Sequence, residues 1–226
     1  MEETIIISLG GSLIVPEEID IEFLKSFRAL ILEHVVKGKK FVIITGGGKI
    51  NKKYNEAAKK IIDPSDENLD WIGIASLKLN AELIRVVFAE YTNVKVVENL
   101  SNKFYFEKSI VIGSAYEPGK SSDWDATEAA RTVGSKKIIN LSNTDYVYDS
   151  DPKLNPDARK IEKISWAEYR KLIPAGWTSR LNSPFDPIAS KMAEEEGIEV
   201  VIMNGKPIDN LANYLNGEKF KGTVIS

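Results

Sequence analysis

The chain has 226 residues, of which 43% are hydrophobic and 28% charged, and its formal net charge is −3. This charge does not favour a general nucleic-acid binder, since the phosphate backbone selects basic surfaces. No apolar run approaches the roughly 20 residues that a membrane-spanning helix needs. The acidic start MEET leads directly into a strand pattern, which is not typical of a signal peptide, so the expected location is the cytoplasm.

Cysteine is absent and the single histidine is His34. This excludes disulfides, thiol nucleophiles and Cys/His zinc sites. His34 lies near the end of a helical pattern closed by Gly38, where an imidazole is expected to cap the helix or to be solvated. The chemistry is therefore left to carboxylates, lysines, hydroxyls, backbone N–H groups and a bound cation, a set with which phosphoryl transfer can proceed.

Short apolar strands alternate with helical patterns along the whole chain. Strands are predicted at 4–9, 40–45, 94–97, 109–113, 136–141, 198–203 and 222–226. Helices are predicted at 17–36, 49–62, 68–91, 123–133, 165–172, 186–196 and 207–215. Ser165 with Glu168 predicts a capping box, and Ser122 before Asp123 predicts an N-cap. This pattern favours a mostly parallel sheet covered on both faces, in one domain spanning 1–226.

Small or polar loops follow four of the predicted strands: LGGS (9–12), TGGGK (45–49), GSAYEPGKSS (113–122) and LSNTD (141–145). In parallel sheets, ligands bind beyond the carboxyl ends of the strands. Glycine-rich loops before helices bind phosphates through their N–H groups, and bare backbone at 46–48 allows close approach of a ligand. Together the loops predict a binding surface for several phosphates.

The segment GSAYEPGKSSDWDA almost matches a P-loop, but five residues instead of four separate Gly113 from Gly119. Pro118 also lacks an N–H group that a phosphate cradle would use. We favour an anion site in which the segment 119–122 leads into a helix. A turn with a helix cap is the alternative, and it does not explain why a lysine and a second serine lie there.

In this order and spacing, the motifs resemble the amino-acid kinase family, and within it the archaeal-type uridylate (UMP) kinases. The matching segments are LGGSLIVP (9–16), TGGGKINKKY (45–54), DWIGI with LNAELI (70–84), PGKSSDWDA (118–126), SNTDYVYDSDP (142–152), FDPIASKMAEEEGI (185–198) and GTVIS (222–226). The resemblance implies an α/β fold, a three-layer αβα sandwich with a mostly parallel central sheet (amino-acid kinase or carbamate kinase-like). It also implies transfer of the γ-phosphoryl group of ATP to UMP with Mg²⁺, by a hexamer built from dimers. No nucleic-acid or membrane partner is expected, given the net charge and the lack of a long apolar run.

The resemblance also implies roles for individual residues. Lys191 would reach the phosphates as a catalytic residue, and Asp145 would organise the magnesium ion or nearby lysines. The implied ATP-binding residues are Gly10, Gly11, Ser12, Gly48, Lys52, Ser142, Tyr148 and Asp151. The implied UMP-binding residues are Gly47, Asp70, Tyr116, Glu117, Pro118, Gly119, Lys120, Ser121 and Ser122. No side chain is implied as a direct metal ligand, since phosphate oxygens and waters would hold most of the Mg²⁺ shell.

Asp70 would accept hydrogen bonds from the ribose hydroxyls of UMP. From the sequence alone, an acid that interacts with the dipole of its own helix is an equal alternative.

Three positions depart from the family pattern. Most amino-acid kinases carry a lysine two residues before the first Gly-Gly, where this chain has Ser8; Lys49 and Lys120 are alternative cations. Tyr146 replaces a residue of the loop after the fifth predicted strand that could adopt a positive φ. The loop GSAYEPGKSS is one residue longer than its counterpart, which bears on base specificity. Phosphorylation of another small acceptor, or nucleotide or oxyanion binding without catalysis, therefore remain alternatives.

Overall fold

A computed structural model describes residues 4–174 and 183–226. The start of the chain at 1–3 and part of the proline-containing stretch at 174–187 lie outside the described residues. The strands are β1 Thr4–Leu9, β2 Lys40–Thr45, β3 Ile110–Gly113, β4 Lys137–Ser142, β5 Val147–Tyr148, β6 Lys160–Ile161, β7 Lys163–Ile164, β8 Glu199–Asn204 and β9 Thr223–Ile225. The helices are α1 Gly11–Ile14, α2 Ile21–Val36, α3 Gly48–Ile61, α4 Asp66–Val87, α5 Ser122–Val133, α6 Trp166–Leu172, α7 Pro187–Glu195 and α8 Ile208–Leu215.

Seven of the described strands form one sheet in the order β3-β2-β1-β4-β8-β9-β7, and β5 pairs with β6 separately. The five strands from β3 to β8 are parallel, whereas β9 runs antiparallel to β8. The carboxyl ends of β2, β1, β4 and β8 are therefore neighbours along one edge of the sheet. Each of these ends runs into a loop that contains glycine or asparagine.

Alternate residues of each central strand pack on opposite faces of the sheet. In β1, Ile5 and Ile7 pack with Phe27 of α2 and Ile84 of α4, whereas Ile6 packs on the opposite face. The helices α5, α6 and α7 cover that second face. Both faces are buried, which explains why the strands are apolar at nearly every position. This arrangement confirms the expected three-layer αβα sandwich with a mostly parallel sheet.

The strand predicted at 94–97 is wrong. The segment makes only isolated bridges to β3, from Thr92 to Ile110 and from Val97 to Gly113, and Val94 is 70% exposed. β3 is an edge strand, and this segment touches it at two points without forming a ladder. The valines of this segment are therefore not sufficient to form a strand, because β propensity depends on packing against neighbouring strands.

Most helix starts lie within one residue of the prediction, and those of α2 and α4 are shifted further. Ser165 and Glu168 form the expected capping box, and the Asp186 side chain caps α7. The N-cap of α5 is Ser121, whose Oγ accepts a hydrogen bond from the Trp124 N–H at 3.2 Å, so the prediction of Ser122 was wrong. Asp20 and Ser65 cap α2 and α4, which places their starts at 21 and 66 instead of 17 and 68.

His34 neither caps α2 nor faces solvent, in contrast to the sequence-based expectation. The side chain is 1% exposed and both ring nitrogens lack a hydrogen-bond partner. Burial lowers the pKa of His34, and the charges of Lys39 and Lys37 act in the same direction. Most apolar residues of α2 likewise face the core, where Phe23 and Ile31 are buried, whereas Ile21 and Val36 at its ends are exposed. Among the described residues, no helix has the length and hydropathy to span a membrane.

Asp125 of α5 provides a pH-dependent test of this packing. Its side chain is 1% exposed, and its Oδ2 has no partner. Burial raises the pKa of Asp125 from 3.8 to about 8. The native carboxyl therefore keeps its proton while the unfolded one loses it, so this group's contribution to stability falls as the pH rises from about 4 to about 8.

We expect Asp125→Asn to gain stability relative to the wild type across that pH range. The difference in free energy of unfolding should be near zero at pH 4 and reach about 5 kcal/mol at pH 8. Urea denaturation of both proteins at several pH values measures it. All other titrating groups are common to both proteins. If the difference in free energy of unfolding did not change with pH, the pKa of Asp125 would not be raised by folding.

Candidate active site

Two glycine loops at the carboxyl edge of the sheet pack against each other through their backbones. A Cβ on Gly11 would overlap the backbone N of Gly48 and lie 2.6 Å from the carbonyl oxygen of Gly46. A Cβ on Gly46 would lie 2.5 Å from the backbone N of Gly11, and Gly48 has a φ of +65°. We call Gly10, Gly11, Gly46 and Gly48 the glycine seam. Contact between the loops is itself sufficient reason for these glycines, which the sequence had attributed to the approach of a ligand.

Hydrogen bonds hold the seam to two strands and one helix. The Gly46 N–H donates to the Leu9 carbonyl at 2.9 Å, and the Gly10 N–H donates to the Leu141 carbonyl at 2.8 Å. From α4, the Asn80 Nδ2 donates to the Gly46 carbonyl at 2.7 Å. Backbone that is tied at both donors and acceptors has little freedom to move. The seam is therefore a preorganised part of the sheet edge.

A cavity of about 290 Å³ opens on one side of the seam, between α3, α4, the loop 115–121 and the start of α5. We call it the α3–α5 cleft. Of the predicted UMP-binding residues, those that line it are Gly47, Asp70, Glu117, Pro118, Lys120, Ser121 and Ser122. The other two contact lining residues directly: the Tyr116 hydroxyl donates to Glu117 Oε1 at 3.1 Å, and the Gly119 N–H donates to Asp70 Oδ2 at 2.9 Å.

A second cavity of about 370 Å³ lies at the carboxyl end of β8, and we call it the β8 pocket. Asp145 lines it and accepts a hydrogen bond from Asn204 Nδ2 at 2.8 Å. Lys219, Phe220 and Lys221 form another part of its wall. Since β2, β1, β4 and β8 are consecutive at this edge, the seam lies between the β8 pocket and the α3–α5 cleft.

The predicted ATP-binding residues divide into two groups. Gly10, Gly11 and Gly48 form the seam, Ser12 follows it in α1, and Ser142 pairs in register with Asn204 of the β8 pocket. Lys52, Tyr148 and Asp151 lie outside both cavities. The Asp151 carboxylate accepts from the Lys153 N–H at 2.9 Å instead. These three assignments stay predictions without support from the geometry.

Lys191, the predicted catalytic cation, does not line either cavity. Its side chain is 71% exposed, and its Nζ lies 3.8 Å from Glu195 Oε1 on α7. Lys49, an alternative cation, pairs with Glu17 at 2.8 Å. Of the three lysines considered from the sequence, only Lys120 lies in the α3–α5 cleft.

Ser8, at the position of the family lysine, takes part in a buried hydrogen-bond network. Its Oγ donates to Asp123 Oδ1 at 3.4 Å, and Asn140 Nδ2 donates to the same oxygen at 3.0 Å. The Asp186 N–H donates to the other oxygen, Asp123 Oδ2, at 3.1 Å. Burial, followed by the charge of Asp186, raises the pKa of Asp123 to about 7. A hydroxyl and a buried carboxyl with a raised pKa thus take the place of the ammonium group that most members of the family have there.

Asp186 joins the start of α7 to the start of α5. Its Oδ1 accepts from the N–H groups of Ile188 and Ala189 at 2.6 and 2.8 Å, and its Oδ2 accepts from the Ser121 hydroxyl. The preceding residue is also held, because the Tyr169 hydroxyl donates to its carbonyl and accepts from its N–H. Sequence reasoning placed Asp186 only at the start of a predicted helix and left Asp123 without a role in the site. For Asp123, its position directly after Ser121 and Ser122 was the available signal.

Two further features of the cleft were not expected. The ring of Trp124 lies 3.6 Å from the Lys120 Nζ, measured to its centroid. On α3, Asn55 is 3% exposed and donates to Asn51 Oδ1 at 2.8 Å, but its own Oδ1 has no partner. The i, i+4 spacing of the two asparagines could have indicated a shared helix face. Only the packing shows that this face borders the cleft.

Asp145 is the one acidic residue among the described residues that line the β8 pocket. No group of three or more His, Asp and Glu side chains among the described residues is arranged to hold a metal ion. A hard cation here would thus need most of its oxygen ligands from a bound molecule or water.

The fold and its two cavities place the chain among the α/β proteins that bind ligands at the carboxyl edge of a parallel sheet. The chain belongs to the amino acid kinase family, whose model matches residues 3–204. This confirms the family predicted from the motifs.

Individual proteins that are similar to this chain share one name within the family. The uridylate kinase of Thermoplasma acidophilum is 32% identical over 231 residues, covering 100% of this chain and 97% of that protein. The uridylate kinase of Thermococcus kodakarensis is 30% identical and covers 98% of each chain. The crystal structure of uridylate kinase from Archaeoglobus fulgidus has a TM-score of 0.79 at 28% identity and covers 100% of both chains.

The contact between the glycine loops can be tested by adding a single methyl group. We expect Gly11→Ala to lower the free energy of unfolding by about 2–3 kcal/mol, because the added Cβ would overlap backbone and not a movable side chain. Gly38→Ala serves as the control, since a Cβ there meets nothing within 4 Å and only the φ of +87° opposes it. The free energy of unfolding of Gly38→Ala should fall by about 1 kcal/mol because of this positive φ. Equal losses in urea denaturation would show that the seam is not tightly packed.

Proposed function

We propose that this protein is an ATP-dependent UMP kinase that converts ATP and UMP to ADP and UDP. The observation that carries the proposal is the position of two cavities on either side of one glycine seam. Such an arrangement suits a donor and an acceptor whose phosphates must meet end to end. The near full-length similarity to proteins named uridylate kinase favours UMP as the acceptor.

UMP occupies the α3–α5 cleft in this proposal. Its phosphate lies at the start of α5, a helix of 12 residues, where backbone N–H groups, the hydroxyls of Ser121 and Ser122 and the Lys120 ammonium converge. Asp70, on the opposite wall, accepts hydrogen bonds from the ribose hydroxyls. Its contact with the Gly119 N–H also links α4 to the phosphate-binding loop. Asp70 is thus assigned to the ribose and the segment 120–122 to the phosphate.

ATP occupies the β8 pocket, with its triphosphate running along the seam. Phe220 offers an apolar surface for the base, and Lys219 and Lys221 provide positive charge. The loop residues Gly11, Ser12 and Gly48 then lie along the phosphates that point towards the cleft. Mg²⁺ would neutralise charge between the β- and γ-phosphates, and Asp145 is the carboxylate in place to bind it directly or through water.

The chemical step needs little from side chains beyond charge and position. An oxygen of the UMP phosphate forms a bond to the γ-phosphorus of ATP, and the bond to the β–γ bridging oxygen breaks, which leaves ADP. No general base is required, because the attacking phosphate oxygen is already anionic. The N–H groups at the start of α5 and the Lys120 ammonium stabilise the charge on the transferring group.

Self-association into a homo-oligomer and a cytoplasmic location are also part of the proposal.

A coupled assay of ADP formation tests the proposal, with UMP, CMP, AMP and isopentenyl phosphate as acceptors. We expect turnover with UMP to exceed turnover with each other acceptor by at least about tenfold, which is about 1.4 kcal/mol of discrimination. Preferred turnover of another acceptor would identify a different small-molecule kinase. Nucleotide binding without turnover of any acceptor would identify a binding protein on the same fold.

Lys191 has a catalytic role only if its side chain leaves Glu195 and reaches the phosphates. The contact of 3.8 Å between Lys191 and Glu195 is exposed, so breaking it costs little free energy. We expect Lys191→Ala to lower kcat by about 100-fold and to leave the Kd for UMP nearly unchanged, since the charge acts in the transition state. Lys37→Ala, which removes the same kind of i, i+4 pair from α2, is the control. An unchanged kcat would remove Lys191 from the mechanism.

A further inference from the structure

The ammonium group of Lys120 is held by three side chains of its own loop and helix. It forms an ion pair with Glu117, lies 3.6 Å from the centroid of the Trp124 ring and 5.6 Å from that of Tyr116. The Tyr116 hydroxyl donates to the same Glu117 oxygen at 3.1 Å. Lys120 is thus confined by two aromatic rings and one carboxylate.

The charge balance of the cleft makes this confinement important. Among the described residues that line the cleft, Lys120 is the one cation, whereas the acids are Asp70, Glu117, Asp123 and Asp186. The Asp123 and Asp186 carboxyls are already bonded to N–H, amide and hydroxyl donors. Any anionic ligand must therefore compete with Glu117 for Lys120.

We propose that Glu117 competes with the acceptor phosphate for the Lys120 ammonium, and that the cleft therefore takes doubly charged phosphate monoesters, whose stronger attraction to Lys120 offsets this competition. In the empty cleft Glu117 holds the Lys120 ammonium; the incoming phosphate replaces the carboxylate as its partner. Trp124 is a positioning residue that keeps the ammonium in place during this exchange. The identification of the monoester as UMP rests on the function proposed above.

The charge of the ligand decides whether it displaces Glu117. A phosphate monoester has a second pKa near 6, so it carries nearly two charges at pH 7.5, and its Coulomb attraction to the ammonium is about twice that of one carboxylate. A singly charged ligand has no such advantage over Glu117. After the exchange, the Glu117 carboxylate retains the Tyr116 hydroxyl as a donor, so it is not left unpaired.

Calorimetric binding without ATP tests this exchange, with UMP and its singly charged 5′-methyl ester as the two probes. We expect Glu117→Gln to bind UMP about 5- to 10-fold more tightly and the methyl ester more tightly by a similar or smaller factor, because the same competitor is removed for both ligands. Lys120→Met should weaken UMP binding by 10- to 100-fold. Glu22→Gln removes an exposed i, i+3 partner of Lys25 and should change neither Kd.

The double variant separates competition from simple repulsion between Glu117 and the ligand. In the Lys120→Met background, Glu117→Gln should give no further tightening, since there is no ammonium left to release. Tightening of equal size in both backgrounds would overturn the proposal, and so would an unchanged or weaker affinity of Glu117→Gln for UMP.

Inorganic phosphate and ribose 5-phosphate, measured with the same variants, distinguish this inference from the proposed function. If UMP does not bind but these anions respond to Glu117→Gln and Lys120→Met as described, only the nucleotide assignment fails. If UMP is phosphorylated but the variants do not respond, only the competition fails. If none of these phosphates binds, the competition proposal is overturned as well.

The role of Trp124 has its own readout. Trp124→Leu should weaken UMP binding by about 5-fold, and Trp124→Phe should restore most of it because a ring remains to face the ammonium. Tm is recorded for both variants, so that a loss of folding is recognised. Equal affinities of the Leu and Phe variants would show that the ring does not position Lys120.

Discussion

Backbone contact between two loops is the constraint on which this structure depends. Gly11 and Gly46 approach so closely that neither position has room for a side chain, and hydrogen bonds to Leu9 and Leu141 hold the loops at the edge of the sheet. Because the strands are parallel and consecutive there, the seam lies between two cavities. A donor and an acceptor bound in those cavities would meet above a rigid backbone, so that little ordering would be needed when they bind.

The cleft takes its positive charge from a different position than in most members of the family. Ser8 occupies the position where most members of the family carry a lysine, and its hydroxyl bonds to a buried carboxyl, Asp123. The same carboxyl and Asp186 connect β1, β4, α5 and α7 in one network. That network orders the start of α5 but adds no positive charge, so the cleft relies on Lys120. A cation on a loop, unlike one on a buried strand, can exchange partners.

The sequence predicted the architecture well, whereas the roles of the site residues stay predictions. Apolar runs such as TIIISL and KFVIIT, with helices between them, indicated a covered parallel sheet, and most UMP-binding assignments came together in one cleft. VKVV failed as a strand because pairing depends on the neighbouring edge. His34 was misplaced because amphipathic spacing does not show how deeply a side chain near a helix end is buried. Lys191 lies outside both cavities, since a motif assigns a role but not a rotamer.

By itself the sequence determined the family, the order of strands and helices and the glycine loops, because these depend on local conformational preferences and on motif spacing. Only the tertiary structure decided why the glycines are needed, which lysine lies in the cleft, and that Trp124, Asn55, Asp123 and Asp186 border the site or its cation. Those contacts join residues that are distant in the chain, such as Ser8 with Asp123 and Ser121 with Asp186. Such pairings arise from packing of the whole sheet and its helices, and no local pattern encodes them.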